Sequence, residues 1–376
     1  MLDLSRQYAS VRREVLAAVT RVCDSQHYIL GEESVAFERE FARLCDTREA
    51  MGCASGTDAL WLALAAAGVG TGDEVVTTSF SFFATASCII RAGARPVFVD
   101  IDPETLNLDP AKVEQKLRNS SSRRRAILPV HLYGQCADMT ALNRIAEEHK
   151  LVVIEDAAQA VGATWTGKRA GSLGSIAAFS FYPTKNLSAF GDAGALTTND
   201  SNLAERVRML RDHGSKRRYY HEEIGANSRL DSIQAAVLRV KMPHLQQWNS
   251  ERRERAGIYD RLFAASGLTR TGAASSSPVT LLKTRPQAHH IYHQYVIRAK
   301  KRDQLKSFMS ERGIGTQIYY PVPLHLQQCF SYVGYAEGDL PETEAAATEV
   351  LALPMFAELR EDEQQYVVET IAEFYS

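Results

Sequence analysis

From about residue 50 to 200, short apolar runs alternate with stretches whose apolar positions recur at helical spacing. This is the pattern of a parallel sheet wrapped by helices. The runs GDEVVTTS near 75, ARPVFVDI near 97, RAILPVHL near 128, LVVIED near 153 and AAFSFY near 179 read as strands. Helices are predicted between them over 84–92, 109–117 and 139–149; the second opens on Asp109-Pro110, a start signal because proline at the first helical position gives up no hydrogen bond. GALTTND at 194–200 follows its predecessor too closely for a long parallel crossover and is expected to pair antiparallel in the same sheet. The fold class is α/β.

After residue 230 the pattern becomes a long helical stretch, DSIQAAVLRVKMPHLQQWNSERRERAGIYDRLF, in which Pro243 predicts a kink or break. The domain crossing is placed there, giving a large domain over 1–243 and a smaller C-terminal α+β domain over 244–376. In the second part, GAASSSP at 272–278 reads as a loop, HHIYHQYVIRA and GTQIYYP as strands, and RDQLKSFMSERG and a last segment ending near Tyr375 as helices.

A length of 376 residues suits two domains sharing a cleft, and 45% hydrophobic with 23% charged residues is ordinary globular composition. A formal charge of -2 implies no polyelectrolyte partner, so no nucleic acid is expected. Arg123-Arg124-Arg125 reads as a solvated face, while Lys216-Arg217-Arg218 lies in a Gly/His/Tyr-rich loop that either faces solvent or meets a substrate phosphate. The six cysteines show no paired metal-ligand spacing and read as reduced core residues, with no metal expected. The start MLDLSRQYAS lacks an apolar signal core and no run is long enough for a membrane span, so a cytoplasmic protein is expected.

In an open parallel sheet, ligands bind past the carboxyl ends of the strands, and three such places carry chemistry. In CASGTDAL, Gly56 allows close backbone approach and Ser55 and Thr57 precede a helix whose first amides attract a phosphate; the same residues also fit plain helix capping. In IEDAAQA, Asp156 ends a buried strand and needs a cation or hydrogen bonds, or else caps the next helix; Gln159 follows three residues on. In YPTKNLSAFGDAGA, Lys185 lies between an apolar strand containing Ser180 and a glycine-rich turn, where desolvation frees a neutral amine for Schiff-base chemistry. An imine-forming lysine, an acid for a ring nitrogen and a glycine-helix phosphate site are together what pyridoxal phosphate asks of a protein.

The ordered segments YILGEE, PVHLYGQ, VIEDAAQA, FSFYPTKN, GDAGALTTND, NSRLDSIQAA, YYPVPLH and LALP span nearly the whole chain. They resemble the DegT/DnrJ/EryC1/StrS family of nucleotide-sugar aminotransferases, within the fold-type I, aspartate aminotransferase superfamily of pyridoxal-phosphate enzymes. The resemblance implies a mostly parallel seven-stranded sheet flanked by helices, with pyridoxal 5'-phosphate as cofactor and pyridoxamine 5'-phosphate as its intermediate form. It implies that Lys185 holds the cofactor and carries the catalytic proton, that Asp156 pairs with the pyridine nitrogen, and that Gln159 approaches the phenolic oxygen. By the same resemblance Phe82 stacks on the ring, and Gly56, Thr57 and Ser180 form the phosphate cup. Asn227 joins that cup from the neighbouring subunit of a homodimer, while Arg229, Tyr320 and His325 lie at the substrate site. Tyr319 stands where many relatives have His, which bears on sugar specificity.

The implied reaction is amino transfer from L-glutamate to a keto carbon of a nucleotide-diphosphate hexose. ANSRLDSIQAAVL resembles members that aminate C3, with C4 amination or a non-catalytic cofactor-binding regulator as alternatives. Lys185 in FYPTKN argues against the related dehydratases, which lack this lysine.

Overall fold

The computed structural model describes residues 2–118, 123–269 and 277–376. In chain order its first strands are β1 (Glu49–Cys53), β2 (Glu74–Thr78), β3 (Arg95–Val99), β4 (Arg124–Leu128), β5 (Val152–Asp156), the short β6 (Thr164–Trp165) and β7 (Lys168–Arg169), then β8 (Ile176–Ser180) and β9 (Gly194–Thr198). Seven of them form one sheet in the order β1-β9-β8-β5-β4-β2-β3. Only β9 runs against its neighbours, as the short connection before it requires. Helices α1 (Leu4–Ser25), α2 (Glu32–Leu44), α3 (Gly56–Ala66), α4 (Ala84–Arg91), α5 (Pro110–Arg118), α6 (Met139–His149) and α7 (Ser201–Leu210) accompany them. Both sheet faces are covered. Ala126, Leu128 and Ile154 join the core that contains Leu60, Leu62 and Leu64 of α3, whereas Ile127 and Val153 join the one that contains Phe37, Phe41 and Leu142. Successive residues thus enter opposite cores, which is why these strands read as unbroken apolar runs.

The predicted break at Pro243 is a short turn, Met242–His244, between α8 (Ser232–Lys241) and α9 (Leu245–Ser266). An exposed hairpin, β10 (Ser215–Arg217) and β11 (Tyr220–His221), precedes α8 and holds the second basic cluster. Beyond α9 come β12 (Val279–Leu281), β13 (Ala288–His289), β14 (Tyr295–Ala299), α10 (Arg302–Glu311), α11 (Pro341–Glu349), β15 (Val350–Leu353) and α12 (Glu361–Tyr375). Strands β12, β14 and β15 make an antiparallel sheet over a separate core of Tyr259, Phe263, Ile297, Leu305, Leu351 and Ile371, among others. Helix α9 belongs to both bodies: Leu245 lies in the large-sheet core, Tyr259 and Phe263 in the second. Helix α1 also crosses, because Val11 and Val15 pack with Val237 of α8 while Arg6 holds Glu363 of α12 at 2.6 and 2.9 Å.

Three sequence expectations need revision or fall outside the described residues. GTQIYYP forms no strand: Gln317 makes a single bridge to Ala352, and the Tyr319–Tyr320 peptide is cis. Ile318, Tyr319 and Tyr320, a short consecutive apolar run of the kind that also reads as a strand, pack against the core without a ladder. Of the cysteines, all are free and four are buried, but Cys23 is half-buried and Cys329 exposed. Most of the 272–278 loop lies outside the described residues. Among the described residues no helix is long and apolar enough to cross a membrane.

Candidate active site

Strand β8 ends at Ser180 and the chain returns as β9 only at Gly194, so residues 181–193 form the loop that carries Lys185. Its neck is closed by the Phe181 amide on the Ala193 carbonyl and the Ala189 amide on the Phe181 carbonyl, each 2.8 Å. Asp156 ends the adjacent strand β5, in register with Ala178 of β8. The start of α3 packs directly on the same strand ends. A Cβ at Gly56 would lie 2.6 Å from the Ser180 Cβ, and one at Gly194 would collide with the Ser55 carbonyl. Glycine is therefore required at both positions for α3 to reach the sheet. Ser55 caps the helix by accepting from the Asp58 amide at 3.1 Å, which leaves the first-turn amides of Gly56 and Thr57 without an intrahelical acceptor, beside the Ser180 hydroxyl. This amide-lined corner suits a phosphate.

The neighbouring carboxylates of β5 show how burial separates structure from chemistry. Glu155 accepts from the Gly171, Leu173 and Gly174 amides at 2.9, 2.8 and 2.7 Å, and from His131 Nε2 at 2.9 Å. Its charge is satisfied within the fold. Asp156, only 4% exposed, receives the Thr85 hydroxyl on Oδ2 at 2.8 Å and the Ala158 amide on Oδ1 at 3.3 Å. Burial pushes its carboxyl above the ordinary range; Thr85, Ala158 and the charge of Lys185 pull the other way. A protonated ring nitrogen would complete this site. Lys185 is lowered to about 8 by desolvation, with Asp156 opposing, so a substantial fraction of its amine is neutral near physiological pH. Pyridoxal phosphate fits this donor set: Lys185 for its aldehyde, Asp156 for its ring nitrogen, and Gly56, Thr57 and Ser180 for its phosphate.

Gln159 is fixed on both sides, accepting from the Tyr133 amide at 2.6 Å and donating to the Tyr320 hydroxyl at 3.0 Å. Tyr320 is thereby placed beside the cluster, and burial raises its phenol above the usual value. Phe82 is 58% exposed with its ring 6.3 Å from that of Tyr320, an open aromatic face at the same mouth. His325 is placed differently from the expectation. Its side chain is fully buried, with Nδ1 at 2.7 Å from the Ser79 hydroxyl and Nε2 at 3.1 Å from Glu344, so it holds the 319–326 segment from behind and offers no free nitrogen to a substrate. Asn227 is exposed, Arg229 pairs with Asp212 at 2.9 Å, and among the described residues no hydrogen bond joins either to Gly56, Thr57 or Ser180. Ser228 between them binds Asp58 at 2.9 Å, which fastens this loop to α3 of the same chain.

Sequence reading missed Thr85, the hydroxyl on Asp156, and Tyr133, whose amide sets Gln159. The Ser81-to-Thr85 spacing, one helical turn, was the available signal for the first: the two hydroxyls are 2.8 Å apart. No local signal marked Tyr133.

A seven-stranded α/β sheet with a lysine, a buried aspartate and a glycine-built corner near adjacent strand ends is the arrangement of a pyridoxal-phosphate enzyme. Residues 9–372 match the DegT/DnrJ/EryC1/StrS aminotransferase family, and the chain belongs to it. It is 53% identical over 375 residues to a pleiotropic regulatory protein of Geobacillus stearothermophilus, covering 100% of this chain and 98% of that one. It is 45% identical over 373 residues to the dTDP-3-amino-3,4,6-trideoxy-alpha-D-glucose transaminase of Streptomyces venezuelae, covering 99% and 95%. Among solved structures it resembles S. venezuelae DesV in complex with a ketimine intermediate, with a TM-score of 0.93 and 44% identity over 99% of this chain and 97% of that one.

Proposed function

We propose that this enzyme transfers an amino group from L-glutamate to the C3 keto carbon of a nucleotide-diphosphate-linked hexose, as a cytoplasmic homodimer with shared active sites. The placement of Lys185 against Asp156 at adjacent strand ends carries the reading. The C3 preference is supported by the ANSRLDSIQAAVL segment and by the 3-amino sugar in the S. venezuelae relative's name. Free cysteines throughout suit a reducing compartment. In this reading residues 1–243 bind the cofactor and 244–376 cover the substrate side.

When bound, pyridoxal phosphate supplies the electron sink for carbanion chemistry. Asp156 keeps the ring nitrogen protonated, because its buried charge has few other partners. Lys185 Nζ moves the proton to and from the substrate carbon, a task suited to an amine lowered to about 8. Gln159 and Tyr320, bonded to each other, orient one wall, and Phe82 covers the ring. Arg229, beside Asn227, either assists the substrate or holds its own loop through Asp212.

Glutamate alone is expected to convert the bound cofactor stoichiometrically to pyridoxamine phosphate, and a nucleotide-linked 3-keto hexose to reverse the change. Reversal only by 4-keto sugars would move the reaction to C4. The regulatory name of the G. stearothermophilus relative supports a second reading, a cofactor-binding regulator; cofactor that glutamate leaves unchanged would favour it.

Sharing of the site has its own test. Mixing inactive Lys185→Ala subunits with a severely impaired Asn227 variant should restore activity, up to about half per hybrid dimer by counting intact sites in a symmetric dimer. Demonstrated subunit exchange without recovered activity, or a fully active monomer, would remove Asn227 from the neighbour's site.

A further inference from the structure

The residue after the lysine is bound more elaborately than Lys185 itself. Asn186, 4% exposed, donates from Nδ2 to Asn249 Oδ1 at 2.7 Å and to the Ile291 carbonyl at 3.4 Å, while its Oδ1 lies 3.1 Å from His293 Nδ1. Asn249 in turn donates to the Val161 carbonyl at 3.1 Å. The carbonyls at Val161 and Ile291 can only accept, which fixes the orientation of both amides. Asn186 Oδ1 must then be an acceptor, so His293 carries its proton on Nδ1 and a lone pair on Nε2. All three side chains are buried, and breaking any link strands a polar group away from water.

These atoms come from three parts of the fold: the lysine loop, α9, and the 290–294 segment that leads into β14. That segment is also fixed to the sheet beside the site. The Ile291 amide binds the Gly134 carbonyl at 3.0 Å and the Gln294 amide the Tyr133 carbonyl at 3.3 Å. Gly134 has φ +101° and a Cβ there would lie 2.9 Å from the His293 backbone nitrogen, so only glycine admits this approach. The Tyr133 amide is the one that sets Gln159.

We propose that Asn186 is a positioning residue for Lys185, clamping the lysine loop to α9 and to the 291–293 segment so that the placement of Nζ against Asp156 depends on how the C-terminal half seats on the sheet. This rests on the assignment of Lys185 made above. A role confined to folding would lower the melting temperature alone; a positioning role also changes the chemistry of Nζ. The groups acting on Lys185 are Asp156, which favours its charge, and His293, which burial and the charge of Lys185 keep neutral. Loosening the loop admits water and reduces the desolvation that lowers the amine.

The experiment is competitive amine labelling of the cofactor-free full chain across pH, read at Lys185 by peptide mass spectrometry, beside the rate of pyridoxal-phosphate uptake. In the native chain the labelling midpoint is expected at about 8. Asn186→Ala should raise it by about one pH unit or more, toward the ordinary lysine value, and slow uptake at neutral pH roughly in proportion to the lost neutral amine. His293→Leu should act in the same direction, whereas His293→Asn, whose amide N–H can take the place of Nδ1–H, should return the midpoint toward native. An unshifted midpoint in folded Asn186→Ala overturns the proposal. Should that variant not fold, equal midpoints in the two His293 variants overturn it, and separated midpoints support it. Borohydride reduction of the cofactor-loaded protein separates the two levels: a label on another lysine overturns the assignment of Lys185 and this proposal with it, while a label on Lys185 with no shift overturns this proposal alone.

Discussion

Lys185→Ala is expected to abolish turnover, a loss of roughly a hundred-thousandfold or more on the scale of removing a covalent nucleophile. Borohydride should fix the cofactor on the Lys185 peptide of the native enzyme, which should be yellow, and should fix none there in the variant. The reason is local: the lysine follows a buried strand, its amine is lowered to about 8 by desolvation, and its nearest opposing charge is Asp156. The same value sets the sign of the pH dependence in the cofactor-free protein. Below pH 8 protonation withdraws the nucleophile, so cofactor uptake should rise as pH passes through about 8. Among the described residues the Lys185 side chain makes no hydrogen bond, so the loop should keep its shape and the variant should remain folded, with Asp156 losing only a nearby opposing charge. Pyridoxamine phosphate should still bind it. Peptide mapping that found the reduced cofactor on a different lysine would refute the assignment.

Asp156→Asn should lower kcat by roughly a hundred- to ten-thousandfold while the fold survives. A neutral amide cannot hold a ring nitrogen protonated, and in a site only 4% exposed water does not substitute for the lost charge. Survival of the fold follows from the neighbours. Thr85 Oγ1 lies 2.8 Å from both Asp156 Oδ2 and Ser81 Oγ, so its hydroxyl can turn to Ser81 and accept from the new amide. Steady-state rates with circular dichroism as the folding control decide the matter. Activity within a few-fold of native would sink the role given to Asp156.

The candidate site is legible in the sequence where its residues sit at the end of a strand, and illegible where a distant neighbour decides their surroundings. Asp156, Gln159, Ser180 and Lys185 each follow or end an apolar run, and a strand delivers its last residues to one edge of the sheet. Gly56 was readable for the same reason, since a helix starting there must touch the strand ends. His325 was misplaced because Ser79 and Glu344 together bury it, and Ser79 lies 246 residues away in the chain. GTQIYYP carries a short apolar run like a strand's, yet its backbone is committed elsewhere: the Tyr133 hydroxyl donates to the Tyr319 carbonyl, and Gln317 makes a single bridge to β15.

By itself the sequence determined the class of fold, the order of the large-sheet strands along the chain and the reversed strand β9, and it singled out Lys185 as the candidate for the chemistry. Each of these follows from local terms: apolar period, connection length, helix-start residues and a lysine beside glycines. Only the tertiary structure decided which groups set the properties of those residues. Asn186 is adjacent to Lys185, but its partners Asn249 and His293 lie 63 and 107 residues away. Thr85 is 71 residues from Asp156. Burial lowers the lysine and raises the aspartate, and burial is created by the packing of α3, α4, α9 and the 290–294 segment around the strand ends, which no local window of sequence contains.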